Sequence, residues 1–430
     1  MIIDKDIKKE FLSEDPKTAL YNLPHKVEYC KVCAISNQRP DTCAEHNNTS
    51  DQKKSSIRFD KDGICNACNW IKKKETIDWD KRENELKDLC DKYRSRNGSY
   101  DVVVPGSGGK DSFFTSHILK TKYNMNPITC TFSPHIYTDW GKNNFYNWID
   151  AGHSNYLFTA DNKIHRLMTR LSLENILHPF QPWVLGHMNF PIKFAAMMKI
   201  PFMMYGDNSV EFGTAHDSED ENLASTLYSC ENTDDIYLGG YHIAKLKKDL
   251  KLSNAQLEPY VPINTKTFKE AKIKYCTISY FLKWSNQEHY YYTMENSQNF
   301  QLSPERTSGT YTKHQGLDDK LDDLHYYTSM IKFGLGRGLY DAANDVRHQD
   351  ITREEGVKLA QKYQEEYPKR FMKEFCEYLT INPNELPGAR NFIEKPIFTE
   401  SYFNELCDKF RSPHIWKLKD NKWELRNPVK

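Results

Sequence analysis

The feature that most constrains this chain is a glycine-rich turn between an apolar run and a helical pattern. Residues 102–104 are three valines, Pro105 follows, and residues 106–109 read Gly-Ser-Gly-Gly. A short β-branched run predicts a buried strand, and the apolar spacing over 112–122 predicts a helix. Glycines let backbone N–H groups converge on an anion, and the helix N-terminus and Lys110 add positive charge. The pattern therefore predicts a binding site for a phosphate chain.

Two common phosphate loops do not fit this turn. A Walker A loop needs glycine where Val104 stands, and Ser or Thr where Asp111 follows the lysine. A Rossmann fingerprint that starts at Gly106 needs glycine at position 111 as well. Residues 107–112, Ser-Gly-Gly-Lys-Asp-Ser, instead resemble the pyrophosphate loop (PP-loop) of the ATP pyrophosphatase superfamily, which cleaves ATP between its α and β phosphates. The resemblance implies that ATP, with Mg²⁺ bridging its phosphates, is held by Pro105, Gly106, Ser107, Gly108, Gly109, Lys110, Asp111 and Ser112.

Short apolar runs alternate with helical patterns between residues 101 and 205, and predict an α/β fold with a parallel sheet. Strands are predicted at 102–104, 127–132, 156–159 and 202–205. Ligands of such sheets bind beyond the carboxyl ends of the strands. We therefore expect the nucleotide to meet a second set of residues, namely Thr131, Phe132, Tyr205 and Gly206.

Polar residues follow the last of these strands. Asp207, Asn208 and Glu211 are candidates to hold Mg²⁺ or to orient an attacking nitrogen, and they join Lys110 and Asp111 as the predicted catalytic set. The same Gly-Asp-Asn-Ser composition is also ordinary turn chemistry.

The chain has eleven cysteines, four of which form the pairs Cys30-x-x-Cys33 and Cys65-x-x-Cys68. Two such pairs predict a tetrahedral site for a structural Zn²⁺, because four thiolates leave no open position for water. Cys43 and His46 lie between the pairs and are competing ligands. The alternative is a set of plain reduced cysteines, which we also expect of the scattered remaining ones.

Charge and hydropathy exclude several classes of protein. Lys plus Arg and Asp plus Glu both number 59, whereas a nucleic-acid binder usually carries a basic excess. No run approaches the roughly 20 apolar residues that span a bilayer, and the first residues lack the apolar core of a signal peptide. We expect a cytoplasmic protein without membrane or nucleic-acid partners.

The composition divides the chain into four predicted segments. Residues 1–28 are a polar leader, 29–75 a cysteine-rich zinc-binding segment, 76–240 the ATP-binding α/β domain, and 241–430 a mostly helical substrate-binding region. The motif Gly-Leu-Gly-Arg-Gly at 334–338 follows a helical pattern without a strand, so it predicts close backbone packing and not a second nucleotide loop.

The order of motifs resembles the N-acetyl sugar amidotransferase family from about residue 29 to 368. Beyond the cysteine pairs, the loop and the Tyr-Gly-Asp-Asn run at 205–208, the matching segments are 283–284, 290–292, 304–311, 317–327, 331–337 and 351–356. The resemblance implies conversion of an acetamido to an acetamidino group on a bacterial surface sugar. These sugars are nonulosonic acids of the pseudaminic and legionaminic kind, as on glycosylated flagellin, and diacetamido uronic acids of lipopolysaccharide O-antigens.

The resemblance also implies a mechanism and partners. ATP adenylates the amide oxygen, ammonia replaces it, and AMP and pyrophosphate are released. A glutaminase and a barrel-type, cyclase-like subunit deliver the ammonia, and a homodimer is one assembly that we consider. The alternative is a PP-loop enzyme that thiolates or amidates RNA bases, which would need a basic face.

The second half of the chain supplies the candidate sugar ligands. Arginine binds carboxylates in a bidentate manner, and clustered carboxylates with a histidine suit sugar hydroxyls or a proton from ammonium. A solvated acidic helix face is the alternative for the carboxylates. The predicted substrate residues are Arg306, Thr307, Thr310, Lys313, Asp318, Asp319, Asp322, His325, Lys332 and Arg337.

Overall fold

The computed structural model describes residues 5–40, 45–47, 55–206, 211 and 228–430. The strands in these ranges are β1 (Val102–Pro105), β2 (Pro127–Phe132), β3 (Asn155–Phe158), β4 (Phe202–Tyr205), β5 (Ser229–Cys230), β6 (Tyr237–Leu238), β7 (Tyr241–His242), β8 (Ile263–Asn264), β9 (Lys274–Thr277), β10 (Trp416–Lys419) and β11 (Lys422–Leu425).

Five of these strands form one parallel sheet in the order β3-β2-β1-β4-β9. The central strand β1 pairs with β2 through Val103 and Ile128, and with β4 through Val103 and Met203. Every residue of β1 and β2 is buried, as expected for a parallel sheet covered on both faces. The predicted α/β class with a parallel sheet is therefore confirmed.

The fifth strand of the sheet was not predicted. β9 pairs in parallel with β4, through Tyr275 opposite Met203, so the sheet extends beyond residue 240 into the region predicted to be mostly helical. Its four residues, Lys-Tyr-Cys-Thr, are half-buried at one end and give no apolar run. An edge strand with one covered side has a weak sequence signal for that reason.

The helices surround this sheet and continue through the second half of the chain. They are Lys5–Leu12, Asn66–Lys74, Trp79–Tyr93, Lys110–Thr121, Asp139–Asp150, Asn162–Ile176, Gln181–Met198, Ile243–Leu250, Asn254–Leu257, Thr265–Ala271, Ile278–Phe281, Asn286–Asn296, Asp322–Phe333, Arg337–Arg347, Arg353–Tyr363, Met372–Leu379 and Glu400–Phe410. The helix Gln181–Met198 was predicted only over 192–198. Its first half was not recognised, because Pro182, Gly186 and Pro191 interrupt the helical sequence pattern there. No helix in the described ranges has both the length and the apolar character that crossing a membrane requires.

The C-terminal region packs on both the sheet domain and the cysteine-rich segment. Leu339, Ala343 and Ala360 share a buried cluster with Cys30 and Cys65. The predicted close packing at 334–338 is also found. A Cβ at position 336 would lie 2.3 Å from the Gln364 carbonyl oxygen, and one at position 338 would lie 2.9 Å from that of Gly309.

The N-terminal helix, Lys5–Leu12, packs on the hairpin β10–β11. The ring centroids of Phe11 and Trp423 are 4.9 Å apart. The Arg426 guanidinium donates to the Glu10 carbonyl oxygen at 2.8 Å and to that of Ser13 at 2.6 Å. The predicted polar leader is thus folded from residue 5 onward.

Candidate nucleotide and substrate site

The glycine-rich loop joins β1 to the helix Lys110–Thr121 at the carboxyl edge of the sheet, and three backbones meet there. A Cβ on Gly106 would lie 2.1 Å from the Ser112 Cβ. Gly108 has a φ of +87°, and its Cβ would lie 2.7 Å from the Asn144 carbonyl oxygen. At the end of β4, a Cβ on Gly206 would lie 2.9 Å from the Asp111 Cβ. Glycine at these positions therefore permits the turn and the contact between strand ends.

Hydroxyl groups hold the loop in place from both sides. The Ser112 hydroxyl accepts from the Gly108 N–H at 3.2 Å and donates to the Gly109 carbonyl oxygen at 3.1 Å. The hydroxyl of Thr131, on β2, donates to the Gly106 carbonyl oxygen at 2.7 Å. Thr131 thus supports the loop from beneath.

Two predicted nucleotide residues lie in the interior. Phe132 is buried, and a Cβ on Gly186 would lie 2.2 Å from its ring, so this ring packs in the core. The Tyr205 ring packs against Tyr275, with centroids 5.2 Å apart, and burial raises the pKa of Tyr205 well above its usual value. Their role toward adenine stays a prediction.

Lys110 and Asp111 form the charged centre of the loop. The Lys110 ammonium pairs with Asp111 Oδ2. Asp111 Oδ1 accepts from the Trp284 indole N–H at 3.2 Å and lies 2.8 Å from His289 Nδ1. Burial would raise the pKa of Asp111, but the Lys110 charge and the bond to His289 hold it well below its usual range. The carboxylate is therefore ionised and fixed in orientation.

The acidic segment of the C-terminal region lies directly against this loop. A Cβ on Gly141 would lie 2.4 Å from the Asp318 Cα, and the Thr138 N–H donates to the Asp318 carbonyl oxygen at 3.2 Å. Ser107 of the loop lowers the pKa of the Asp318 carboxyl against the effect of burial. Asp319 Oδ2 accepts from the backbone N–H of His135, just after β2, at 2.7 Å. These contacts join the loop, the end of β2 and the second half of the chain in one site.

The carboxylates of this segment interact with one another; Asp319 and Asp323 are buried, and Asp318 and Asp322 are half-buried. Burial raises the pKa of Asp318, and the neighbouring Asp319 adds to this. Burial raises the pKa of Asp322 well above its usual value, the charges of Asp318 and Asp319 add to the shift, and Arg337 opposes it. These carboxylates are better proton acceptors than solvated ones, so the solvated acidic face does not describe Asp318 or Asp322.

A buried hydrogen-bond network holds Arg337 near the carboxylate of Asp322. Its Nε donates to Asp341 Oδ1 at 2.8 Å, and its Nη2 donates to Gln315 Oε1 at 2.9 Å. Thr310 donates to Asp341 Oδ2 at 2.6 Å, and Thr307 donates to the Gln315 carbonyl oxygen at 2.7 Å. The structure thus brings three predicted substrate residues, Thr307, Thr310 and Arg337, together.

His314 lies between the loop and this network. Burial lowers the pKa of His314 to about 4, and the positive charges of Lys110 and Arg337 contribute to this. Its ring stacks on Tyr290, with centroids 5.1 Å apart. His314 is therefore a neutral imidazole within the site at physiological pH.

Other predicted substrate residues are placed elsewhere. Arg306 makes a bidentate ion pair with Glu366 at 2.5 Å. Lys313 is exposed and donates to the Pro304 carbonyl oxygen at 2.8 Å. His325 and Lys332 line a separate cavity of about 440 Å³, on whose wall Arg337 also lies.

The predicted catalytic residues after β4 are only partly described. Asp207 and Asn208 lie outside the described residues. Glu211 is 1% exposed and pairs with Lys74, whose Nζ lies 2.8 Å from Oε1. Its carboxylate is thus already neutralised by an internal lysine.

The four paired cysteines form one buried cluster. The Sγ atoms of Cys30, Cys33, Cys65 and Cys68 all lie within 4.8 Å of one another, and could hold a metal ion. The Cys30–Cys68 pair is 3.8 Å apart and the Cys33–Cys65 pair is 3.6 Å apart. His46, which is described, is not part of the cluster, and Cys43 lies outside the described residues.

Several residues of the site had no predicted contact or catalytic role. Trp284 and His289 contact Asp111, and His314, Gln315 and Asp341 surround Arg337. Trp284 lies in one of the family-like segments, but residue type alone gives it no function. Asp341 had a local signal, because it is four positions after Arg337 on a helix, where opposite charges pair.

Fold and site together define an α/β protein with a glycine-rich loop at the carboxyl edge of a five-stranded parallel sheet and a second, mostly helical region packed beside it. Residues 308–430 match the family model described as the C-terminal domain of WbpG-like lipopolysaccharide (LPS) biosynthesis proteins. Over these residues, the predicted resemblance to a family of surface-polysaccharide biosynthesis is confirmed. No curated protein matches the chain.

Several solved structures are similar to the chain, each at 14% sequence identity. A predicted subunit of tRNA methyltransferase from Methanocaldococcus jannaschii matches over 50% of this chain and 83% of its own, with a TM-score of 0.25. The NH3-dependent NAD synthetase of Campylobacter jejuni matches over 46% and 93%, with a TM-score of 0.26. The U34-tRNA thiolase NcsA of Methanococcus maripaludis, solved with its 4Fe-4S cluster, matches over 72% and 87%, with a TM-score of 0.24.

Proposed function

We propose that this protein is an ATP-dependent amidotransferase that converts an N-acetyl group of an acidic bacterial surface sugar to an acetamidino group. The observation that carries the proposal is the contact of residues 318–319 with the carboxyl edge of the sheet beside the nucleotide loop. There Asp318 packs against Gly141, and Asp319 Oδ2 accepts from the His135 N–H at 2.7 Å. Asp318 belongs to the region that matches a lipopolysaccharide biosynthesis domain. The sugar-related part of the chain thus lines the loop that is suited to a phosphate chain.

The loop supplies what the first step requires. An amide oxygen is a poor leaving group, so it must first attack the α-phosphate of ATP and form an O-adenylate. The backbone N–H groups of Ser107 and Gly109 and the Lys110 ammonium suit the charge of the departing pyrophosphate, because the loop fixes them before the reaction. The N–H groups of Gly106 and Gly108 instead donate to the Cys130 carbonyl oxygen and the Ser112 hydroxyl, and hold the loop in shape. Mg²⁺ would accompany the phosphates as the substrate's own cation.

The acidic segment supplies what the second step requires. Ammonia attacks the activated carbon, AMP leaves with the former amide oxygen, and one proton must be removed from the incoming nitrogen. Asp322 suits this task, since its pKa is raised by burial and by the charges of Asp318 and Asp319. Arg337, with its Nε and Nη2 oriented by Asp341 and Gln315, lies on the same side and suits the sugar carboxylate.

The cysteine cluster suits a structural zinc ion. Tetrahedral Zn–S bonds of 2.3 Å place sulfur atoms about 3.8 Å apart, and the two closest Sγ pairs are separated by 3.6 and 3.8 Å. An iron–sulfur cube would hold its four ligand sulfurs further apart, because four irons lie between them.

We also propose that a separate glutaminase and a cyclase-like subunit supply ammonia.

The test is a turnover assay with purified protein, Mg-ATP, ammonium chloride and a panel of N-acetylated nonulosonic acids and nucleotide-linked diacetamido uronic acids. We expect sugar-dependent AMP and pyrophosphate, and a product in which NH replaces the amide oxygen. Glutamine in place of ammonium should not support turnover by this chain alone. ADP in place of AMP, or turnover with RNA and with no sugar, would overturn the proposal.

A matched pair of lysine variants tests the loop. Lys110→Ala should abolish AMP formation, because it removes the ammonium group that the loop offers to the phosphates and that pairs with Asp111. Lys120→Ala, on the same helix, removes an exposed ammonium that donates to the Gly152 carbonyl oxygen, and should leave AMP formation unchanged. Equal rates for the two variants would contradict the assigned role of the loop.

A further inference from the structure

A continuous series of buried contacts joins the cysteine cluster to the nucleotide loop. It starts at Arg347, whose Nη1 donates to Cys33 Sγ at 3.5 Å and whose Nη2 donates to the Glu211 carbonyl oxygen at 3.3 Å. Arg347 is buried, and the negative charge of the cysteine sulfurs raises its pKa against the effect of burial. One guanidinium therefore touches both a metal-binding residue and the segment that follows β4.

The series continues through a buried ion pair to the loop aspartate. Glu211 Oε1 lies 2.8 Å from Lys74 Nζ, and Lys74 Nζ donates to the Trp284 carbonyl oxygen at 2.5 Å. The Trp284 indole N–H then donates to Asp111 Oδ1 at 3.2 Å. Lys74 and Trp284 are 3% and 1% exposed, so water does not replace these contacts.

A helix provides a second connection from the cysteine cluster to Lys74, where it joins the series of contacts described above. The helix Asn66–Lys74 begins at Cys65, whose Sγ accepts from the Cys68 N–H at 3.5 Å, and it ends at Lys74. Two metal-binding residues thus define the start of a nine-residue helix whose last residue holds Glu211 and Trp284. A helix of this length transmits a shift at one end to the other, because its backbone bonds keep it rigid.

Displacement of Lys74 would be costly. An internal ion pair that loses one partner leaves an uncompensated charge in a low-dielectric interior. Lys74 and Glu211 therefore stay together, and the Trp284 carbonyl oxygen moves with them. Contacts thus lead from the cysteine cluster through Lys74 and the Trp284 backbone to the residue whose indole contacts Asp111.

We propose that Lys74 and Trp284 are positioning residues that couple metal binding at the cysteine cluster to nucleotide binding at the glycine-rich loop. The proposal rests on the nucleotide binding in the proposed function, but not on the identity of the sugar. Because coupling between two binding equilibria is reciprocal, each ligand must tighten the other by the same factor.

The test measures this factor directly. Zinc affinity is determined by competition with a chelating dye, in the presence and absence of a non-cleavable α,β-methylene analogue of ATP. Affinity for the analogue is determined by calorimetry on zinc-loaded and zinc-free protein. We expect both factors to agree and to be about 5-fold or larger. Analogue binding that is independent of zinc would overturn the coupling and leave the proposed function intact; no analogue binding at all would overturn both.

A tryptophan pair identifies the route. Trp284→Phe keeps an aromatic ring but removes the N–H that reaches Asp111, so the coupling factor should fall towards one while zinc content is unchanged. Trp423→Phe is the matched control, because its indole N–H donates to another carboxylate, that of Asp408, at 2.8 Å on the hairpin side. That variant should keep the full factor. An undiminished factor in Trp284→Phe would refute the assigned route.

Discussion

Replacement of Gly108 by alanine should destabilise the nucleotide loop before any ligand binds. Gly108 has a φ of +87°, a backbone conformation that side chains other than glycine rarely adopt. The added Cβ would lie 2.7 Å from the Asn144 carbonyl oxygen and 2.9 Å from the Phe145 Cα. Both atoms belong to the backbone of the helix Asp139–Asp150, so no side chain can rotate away to make room.

The expected loss of stability is the sum of a backbone contribution, from the positive φ, and a steric contribution, from the contacts of the added Cβ. The left-handed conformation costs a residue with a Cβ about 1–2 kcal/mol. Forcing a methyl group against fixed backbone costs about another 1–3 kcal/mol. The expected loss is therefore about 2–5 kcal/mol of local stability, concentrated where the loop meets the helix Asp139–Asp150.

The assay compares Gly108→Ala with Gly109→Ala in the same loop. At position 109 the φ is not positive, and a Cβ would meet only the Ser107 hydroxyl, at 3.7 Å. Urea midpoints and backbone hydrogen exchange should show a clear loss for Gly108→Ala and a change within about 0.5 kcal/mol for Gly109→Ala. Equal stability of the two variants would refute the loop geometry on which the candidate site rests.

Three further predictions concern the charge, metal and pH dependence of the site. Asp111→Asn leaves the loop lysine without its carboxylate partner, and should lower kcat/KM for ATP by roughly 10- to 100-fold, measured as AMP formation. An unchanged value would remove Asp111 from the site. Cys33→Ser should lower the zinc content of about one ion per chain measured by atomic emission, whereas Cys376→Ser, outside the cluster, should retain it. Burial lowers the pKa of His153 and His414 to about 4, below the value of about 6.5 in the unfolded chain. The free energy of unfolding should therefore be constant above pH 6.5 and fall as the pH falls towards 4, because the unfolded chain then binds more protons. A thermal midpoint that stays constant between pH 7 and 4.5 would contradict this.

The parts of the fold that were predicted are those with local causes. β2 and β4 have the predicted bounds of 127–132 and 202–205, because each is a short run of mostly apolar and β-branched residues that is buried over nearly its whole length. The cysteine cluster follows from two pairs whose spacing already fixes the local geometry of each half. Neither result needs knowledge of which distant segments meet.

The parts that were not predicted depend on distant partners. Arg306 was expected to bind a sugar carboxylate, but its guanidinium is hydrogen-bonded to the carboxylate of Glu366. Asp318 is one carboxylate in an acidic run, and only the folded chain shows that it packs against Gly141 beside the nucleotide loop. Periodicity and composition describe a residue's own segment, whereas these assignments depend on how segments far apart in sequence pack together.

The contact between the N-terminal helix and the hairpin β10–β11 has a consequence for the time course of synthesis. Arg426 bonds to the carbonyl oxygen of Glu10, 416 positions earlier in the chain. During translation the apolar side of Lys5–Leu12, including Phe11, therefore stays without its partner until the hairpin has left the ribosome. Over that interval the early helix is a natural substrate for chaperones, and a slow codon shortly before the hairpin would prolong the exposure.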